Sequence, residues 1–135
     1  MKLNYECVRD VLKYLEKIPY VRQDEEGYLE YEEVCLSKIC ESLPDYSVED
    51  VFYALSNLQQ AGYINVSGQW GGDVLGECCV NYITFEGHEF LEKIKSDTIW
   101  KKTLSTAGKV GSFSFQMIAK IAESVAVACI KDALG

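Results

Sequence analysis

Residues 47–67 read SVEDVFYALSNLQQAGYINVS. Ser47 at the head, Glu49 and Asp50 in the first turn, and Val48, Val51, Phe52, Leu55 and Leu58 at helical spacing predict a capped amphipathic helix. Gly62 stands where a helix ends in a left-handed residue, and YINVS beyond it has the composition of a strand. A capped helix that turns through glycine into a strand is the pivot of the chain, and the flanking segments are read outward from it.

Downstream, the glycine-rich SGQWGGDVLGE leads to CCVNYITF, a returning strand, so that the two strands make a β-hairpin with a long tip that includes Gln69, Trp70 and Asp73. Thr84 then opens a fourth helix, FEGHEFLEKI, with Phe85, Phe90, Leu91 and Ile94 as its apolar contacts. Upstream, Tyr5, Val8, Leu12 and Leu15 fall at helical spacing, widened by Val11 and Ile18 and stopped by Pro19. The acidic QDEEGYLEYEE predicts a loop running into a short strand around residues 31–35, after which Ser37 caps a short helix, SKICESL, that Pro44 closes.

The order helix, strand, helix, helix, strand, strand, helix predicts an α+β domain of the winged helix-turn-helix type over residues 1–95, with a small antiparallel sheet packed on helices. Residues 96–111 are read as a basic link, with Gly108 and Gly111 marking a hinge. Residues 112–135 are read as an additional C-terminal amphipathic helix. Phe115, Ile118, Ala122 and Val125 lie on one line of it, a stripe broad enough to require burial and therefore the expected association element. Charged residues interrupt that helix, so no membrane span is expected.

The formal charge is −8 and is uneven: residues 1–90 carry 6 Lys and Arg against 17 Asp and Glu, a net of −11, and residues 91–135 carry 7 against 4, a net of +3. Duplex affinity comes largely from cations that displace phosphate counterions, so this field disfavours DNA binding through the first ninety residues. The opening MKLNYECVRDVLKYLEKIPY holds charges every few residues and no apolar run of signal-peptide length, from which a cytoplasmic location is expected. The six cysteines, at positions 7, 35, 40, 78, 79 and 129, form no CxxC pair. Adjacent Cys78 and Cys79 would point to opposite faces of a strand, and reduced thiols acting as small apolar side chains are expected throughout.

The segments YSVEDVFYALSNLQQAGYI and ITFEGHEFLEKIKSDTIWKKT, followed by a glycine-containing link and a final helix, resemble the family catalogued as domain of unknown function 2513. The block formed by Ile83, Thr84, Gly87, His88, Phe90, Leu91, Trp100, Lys101 and Lys102 carries most of the resemblance. It implies a winged-helix fold in small proteins of bacteria, phages and prophages, and it transfers no catalytic residues, since the family has no established activity.

No catalytic constellation emerges from the residues themselves. His88 is the single histidine and reads as a polar residue near a helix start; the glycines of the hairpin tip precede no helix and include no lysine, so they form no phosphate cradle. The chain is expected to be non-enzymatic, with no metal and no cofactor.

Two binding readings follow. In the leading one the protein contacts a protein partner through Glu49, Asp50, Tyr53, Asn57 and Trp70, the aromatic pair serving as anchors, and associates with itself, as a homo-oligomer, through Phe115, Ile118, Ala122 and Val125 of the last helix. In the alternative it is a DNA-binding regulator. The third helix would then present Ser47, Glu49, Asp50, Tyr53, Ala54, Asn57 and Gln60 to the groove, and Lys93, Lys95, Lys101, Lys102 and Lys109 would grip phosphates. No small-molecule ligand is implied.

Overall fold

The structure, a computed structural model, describes residues 1–68, 70 and 78–135. The hairpin tip is therefore described only at its start and at Trp70, and the expectations for Gln69 and Asp73 lie outside the described residues. The chain is α+β, with helices and small antiparallel sheets, and it divides into two compact units, Met1–His88 and Glu89–Gly135.

In the first unit, helix α1 (Tyr5–Glu16) is capped by Asn4, whose Oδ1 accepts from the Cys7 amide at 3.1 Å. Its stripe of Cys7, Val8, Val11, Leu12 and Leu15 is buried. Strands β1 (Val21–Gln23) and β2 (Leu29–Tyr31) then form a two-stranded antiparallel sheet, pairing Val21 with Tyr31, Arg22 with Glu30 and Gln23 with Leu29. Asp24 closes the turn, its Oδ1 accepting from the amides of Glu26 and Tyr28, each at 2.9 Å. The region expected to hold a loop and one strand thus holds a hairpin and a separate short strand, β3 (Val34–Cys35).

Helix α2 (Leu36–Ser42) begins one residue before the expected cap, with Cys35 at the cap position and no side-chain capping bond. Helix α3 (Val48–Gln60) is capped as its sequence predicts: Ser47 Oγ accepts from the Asp50 amide at 3.1 Å. It ends through Gly62 at φ +80°, with the Tyr63 amide reaching back to the Leu58 carbonyl at 2.9 Å. Val51, Ala54, Leu55 and Leu58 are its buried side. Ala54, expected on the exposed face, is therefore a core residue; it falls between Val51 and Leu58 on the same stripe and its small side chain disguises that in the sequence.

Strands β4 (Ile64–Ser67) and β5 (Cys79–Ile83) complete a three-stranded sheet in the order β3-β5-β4, with an irregularity in register between Asn65 and Val66. Cys35 and Cys79 are register partners, and a disulfide joins them. The expectation of reduced thiols throughout is corrected at this pair; Cys7, Cys40, Cys78 and Cys129 are not disulfide-bonded. Cys78 lies just before β5, and which of the adjacent Cys78 and Cys79 meets Cys35 depends on strand pairing, which sequence spacing does not carry.

Helix α4 (Phe85–Ile94) starts after Thr84, and the division between the units falls within it. In the second unit, α5 (Asp97–Val110) is capped by Ser96 and terminated by Gly111 at φ +79°, and α6 (Phe115–Leu134) is capped by Ser114. Residues 96–111 are thus a helix and not the expected hinge-bearing link: Gly108 lies inside α5, and Gly111 alone marks a turn. Trp100, Thr103 and Ala107 of α5 and Ile118, Ile121 and Ala122 of α6 are buried. The rings of Phe90 and Phe115 meet with centroids 5.3 Å apart, and Lys93 pairs with Glu123 at 2.7 Å. Among the described residues no helix is long and apolar enough to cross a membrane.

Candidate protein-interaction surface

The hairpin of β1 and β2 alternates in the usual strand manner, so Val21, Gln23, Leu29 and Tyr31 share one side while Arg22 and Glu30 share the other. The charged side is internally paired: Arg22 meets Glu30 at 2.9 Å and Glu32 at 3.4 Å. The apolar side is not covered. Val21 is 57% exposed, Leu29 72% and Tyr31 64%, and neighbouring Tyr28 is 69% exposed. An isolated two-stranded hairpin is marginal in water, and one that leaves its apolar side in solvent gains most from being covered.

Beside it lies an open groove of about 510 Å³ lined by Leu15, Ile18, Tyr20, Val21, Tyr31, Tyr82, Ile83, Phe85 and His88, with Glu16 and Thr84 at its polar positions. A smaller hollow of about 190 Å³ is lined by Val21, Leu29, Glu30 and Tyr31, so Val21 and Tyr31 belong to both and the apolar surface is continuous. The ring of Tyr31 packs on Tyr82 at a centroid distance of 4.9 Å, which fixes the hairpin side of the groove. On the far side Phe85 is 72% exposed at the start of α4. The hydroxyl of Tyr20 is buried with no hydrogen-bond partner among the described residues, and burial followed by the neighbouring Tyr14 pushes its pKa up.

The groove is held by the start of α4. Thr84 Oγ1 donates to the Gly62 carbonyl at 2.6 Å and accepts from the Gly87 amide at 3.1 Å, so one hydroxyl caps α4 and ties it to the end of α3. The Thr84 amide adds a bond to the Tyr63 carbonyl at 3.0 Å. His88 follows on the exposed side and lines the groove.

Of the residues expected to form a partner surface, Glu49, Asp50, Tyr53 and Asn57 lie on successive turns of α3, and Trp70 packs against the same helix. Trp70 stacks on Phe52 at 5.7 Å between centroids and donates Nε1–H to the Ser67 carbonyl at 3.1 Å. It is a half-buried packing residue of the β4 to α3 contact. Tyr53 and Asn57 are half-buried, and Asn57 Nδ2 donates to the Tyr53 carbonyl at 2.8 Å. Glu49 is exposed and Asp50 half-buried, both in the capped first turn.

Of the lysines, Lys93 is tied to Glu123 and Lys95 to Glu92 at 3.3 Å. Lys101, Lys102 and Lys109 are exposed and line a shallow groove of about 450 Å³ in the second unit with Ser105, Thr106, Val125, Cys129 and Asp132. The expected association stripe on α6 is spent within the unit: Ile118 and Ala122 are buried, and Phe115 and Val125 are half-buried. What α6 leaves in solvent is the opposite line of Val127, Ile130 and Leu134.

Thiol chemistry is not prepared at Cys7 or Cys40. Burial first, then Asp50, Asp10 and Cys40, pushes Cys7 up to about 12, and burial followed by Glu49 raises Cys40. Among the described residues one cluster has metal-ligating atoms near one another, formed by Glu33, Cys35 and Cys79.

The sequence signal for the hairpin surface is LEY, in which Glu30 separates Leu29 from Tyr31, and it is this alternation that the paired strands use. Among known proteins, a Haemophilus influenzae protein described as "Uncharacterized protein" is 25% identical over 126 residues, covering 93% of this chain and 95% of its own length. No solved structure matches the chain. The family described as "Hypothetical protein (DUF2513)" matches residues 2–114, from before α1 to the residue that caps α6, and takes in the Thr84 to His88 block that fastens α4. With that span the chain belongs to this family.

Proposed function

We propose that the protein is a non-enzymatic interaction module built on a winged-helix core, in the bacterial mobile-element setting that the family resemblance implies, and that it binds a protein partner through the hairpin of β1 and β2. The winged-helix reading is supported by the succession α1, β3, α2, α3, β4, β5 and by the strand order β3-β5-β4, in which the first strand pairs with the third. The hairpin is then an insertion between the first helix and the first strand of that core. The observation that carries the function is its uncovered apolar side, Val21, Leu29 and Tyr31, continuous with a groove reaching Phe85. The acidic charge of the same unit favours a partner with basic residues around an apolar centre.

The DNA-binding alternative draws its support from Lys101, Lys102 and Lys109, which form no ion pair among the described residues. The third helix adds no cation to them, since VEDVFYALSNLQQ contains neither Lys nor Arg.

A photo-reactive side chain placed at Leu29 in the full chain and activated in host cells should give a discrete crosslinked product, whereas the same group at Glu49 should not. Tyr31→Ser should abolish the product while costing about 0.5–1.5 kcal/mol of stability through the lost ring contact with Tyr82, too little to unfold the chain. Equal crosslinking from Glu49 would overturn the assignment of the hairpin. Tight duplex binding at about 50 mM salt, lost steeply as salt rises and weakened by Lys101→Ala and Lys102→Ala, would favour the regulator instead.

A further inference from the structure

The geometry points to a divalent-metal site for a thiophilic ion such as Zn²⁺, formed by Glu33, Cys35 and Cys79 when the disulfide is reduced. Glu33 immediately precedes β3 with its carboxylate near the sulfur of Cys35, and Cys79 stands opposite Cys35 across the strand pair. One carboxylate oxygen and the two sulfurs lie within 4.8 Å of one another. In a tetrahedral zinc site the metal to sulfur bonds are about 2.3 Å and the metal to carboxylate bond about 2.0–2.2 Å, which brings the two sulfurs to about 3.7 Å apart.

The carboxylate is already positioned. Ser67, the register partner of Cys79 on the other neighbouring strand, donates its hydroxyl to Glu33 Oε2 at 2.9 Å. That hydroxyl is also 3.2 Å from Asn81 Oδ1, and Asn81 Nδ2 donates to Asn65 Oδ1 at 2.8 Å. The sheet thus offers a row of polar side chains behind the ligands, the arrangement by which metal-bound carboxylates are usually oriented. Cys79 is buried, Cys35 half-buried and Glu33 exposed, so the site opens on one side, where water supplies the fourth ligand. Two thiolates and a carboxylate in a strongly acidic unit also favour a dication electrostatically.

Metal and disulfide are mutually exclusive. A dithiol reductant of the thioredoxin class, itself oxidised to a disulfide, delivers two electrons and two protons to the Cys35–Cys79 bond and yields two thiols. Zn²⁺ then binds both sulfurs and releases the two thiol protons to solvent. In a reducing compartment the pair is kept in the metal-ready form, and oxidation expels the ion.

The test uses the full chain reduced with a phosphine, titrated with Co²⁺ as a spectroscopic probe and then with competing Zn²⁺. A thiolate-to-cobalt charge-transfer band saturating at one equivalent and displaced by Zn²⁺ is expected for the wild type and absent from the oxidised protein. Glu33→Gln, at an exposed position that does not threaten folding, should weaken Zn²⁺ at least about 10-fold, and Ser67→Ala, which loosens the carboxylate, about 10-fold. Cys79→Ser should remove the band. The absence of a band in reduced wild type, a band that survives disulfide formation, or an affinity unchanged by Glu33→Gln would each overturn the assignment.

Discussion

Gly87 sits against the carbonyl of Tyr63 so closely that a Cβ built on it would overlap the carbonyl oxygen, and it would also come within 2.7 Å of Ile83 Cγ2. The close approach comes from the bonds that fasten α4: the Thr84 amide donates to that same carbonyl and the Thr84 hydroxyl to Gly62. The glycine is needed here for space, since its backbone is helical and its φ is not positive.

Gly87→Ala should therefore destabilise the first unit by about 1–3 kcal/mol, the usual cost of inserting a carbon where backbone cannot yield. Gly108→Ala is the matched control. It lies in α5 with nothing within 4 Å of its virtual Cβ, so alanine should be neutral or stabilising by up to about 1 kcal/mol through helix propensity. Urea unfolding of both variants followed by circular dichroism checks the pair. A neutral Gly87→Ala would mean that the Tyr63 carbonyl moves aside freely.

The two sides of α6 make a second contrast. Ile118 is fully buried, while Ile130 is 56% exposed on the opposite line of the helix. Ile118→Ala should cost about 2–5 kcal/mol, as large-to-small changes in a filled core do. Ile130→Ala should cost no more than about 0.5 kcal/mol. Deleting residues 112–135 would, on the same grounds, uncover the buried side of α5 and promote aggregation, instead of converting an oligomer cleanly to a monomer. Light scattering of the deletion alongside the two point variants distinguishes these outcomes.

The parts of the fold that were legible are those whose signals are local. Ser47, Glu49 and Asp50 cap α3, Gly62 ends it, and the stripes of α1 and α3 point inward because large apolar residues recur at helical spacing. Helix α5 was hidden because its buried line is Trp100, Thr103 and Ala107, two of which are small or polar, and because Gly108 imitates a break. The hairpin of β1 and β2 was hidden for the opposite reason. Its strands are three residues long and exposed on both sides, so no burial pattern marks them, and only the pairing of Val21 with Tyr31 reveals that the apolar residues share a side. The same dependence on pairing explains the cysteines: Cys35 and Cys79 are 44 residues apart, and only the register between β3 and β5 sets them opposite one another. Trp70 reads from the sequence as a partner anchor, because nothing in the sequence places Phe52 beneath it.

Buried groups of the first unit set how the protein responds to alkali. The Cys7 thiol is raised from the ordinary 9.0 to about 12, by burial above all and then by Asp50 and Asp10. The folded chain consequently holds that proton over a range in which the unfolded chain has released it. With more protons bound in the folded than in the unfolded state, stability is fully present below pH 9.0 and falls as pH rises toward about 12. Tyr46 acts in the same sense at higher pH, since burial and its 2.6 Å hydrogen bond to Asp10 Oδ2 raise its phenol above 10.0. Unfolding free energies measured across this interval should therefore decline for the wild type. Cys7→Ala should flatten the lower part of the decline, and Tyr46→Phe should flatten the upper part. A decline of equal steepness in both variants would show that neither group retains its proton on folding as its surroundings require.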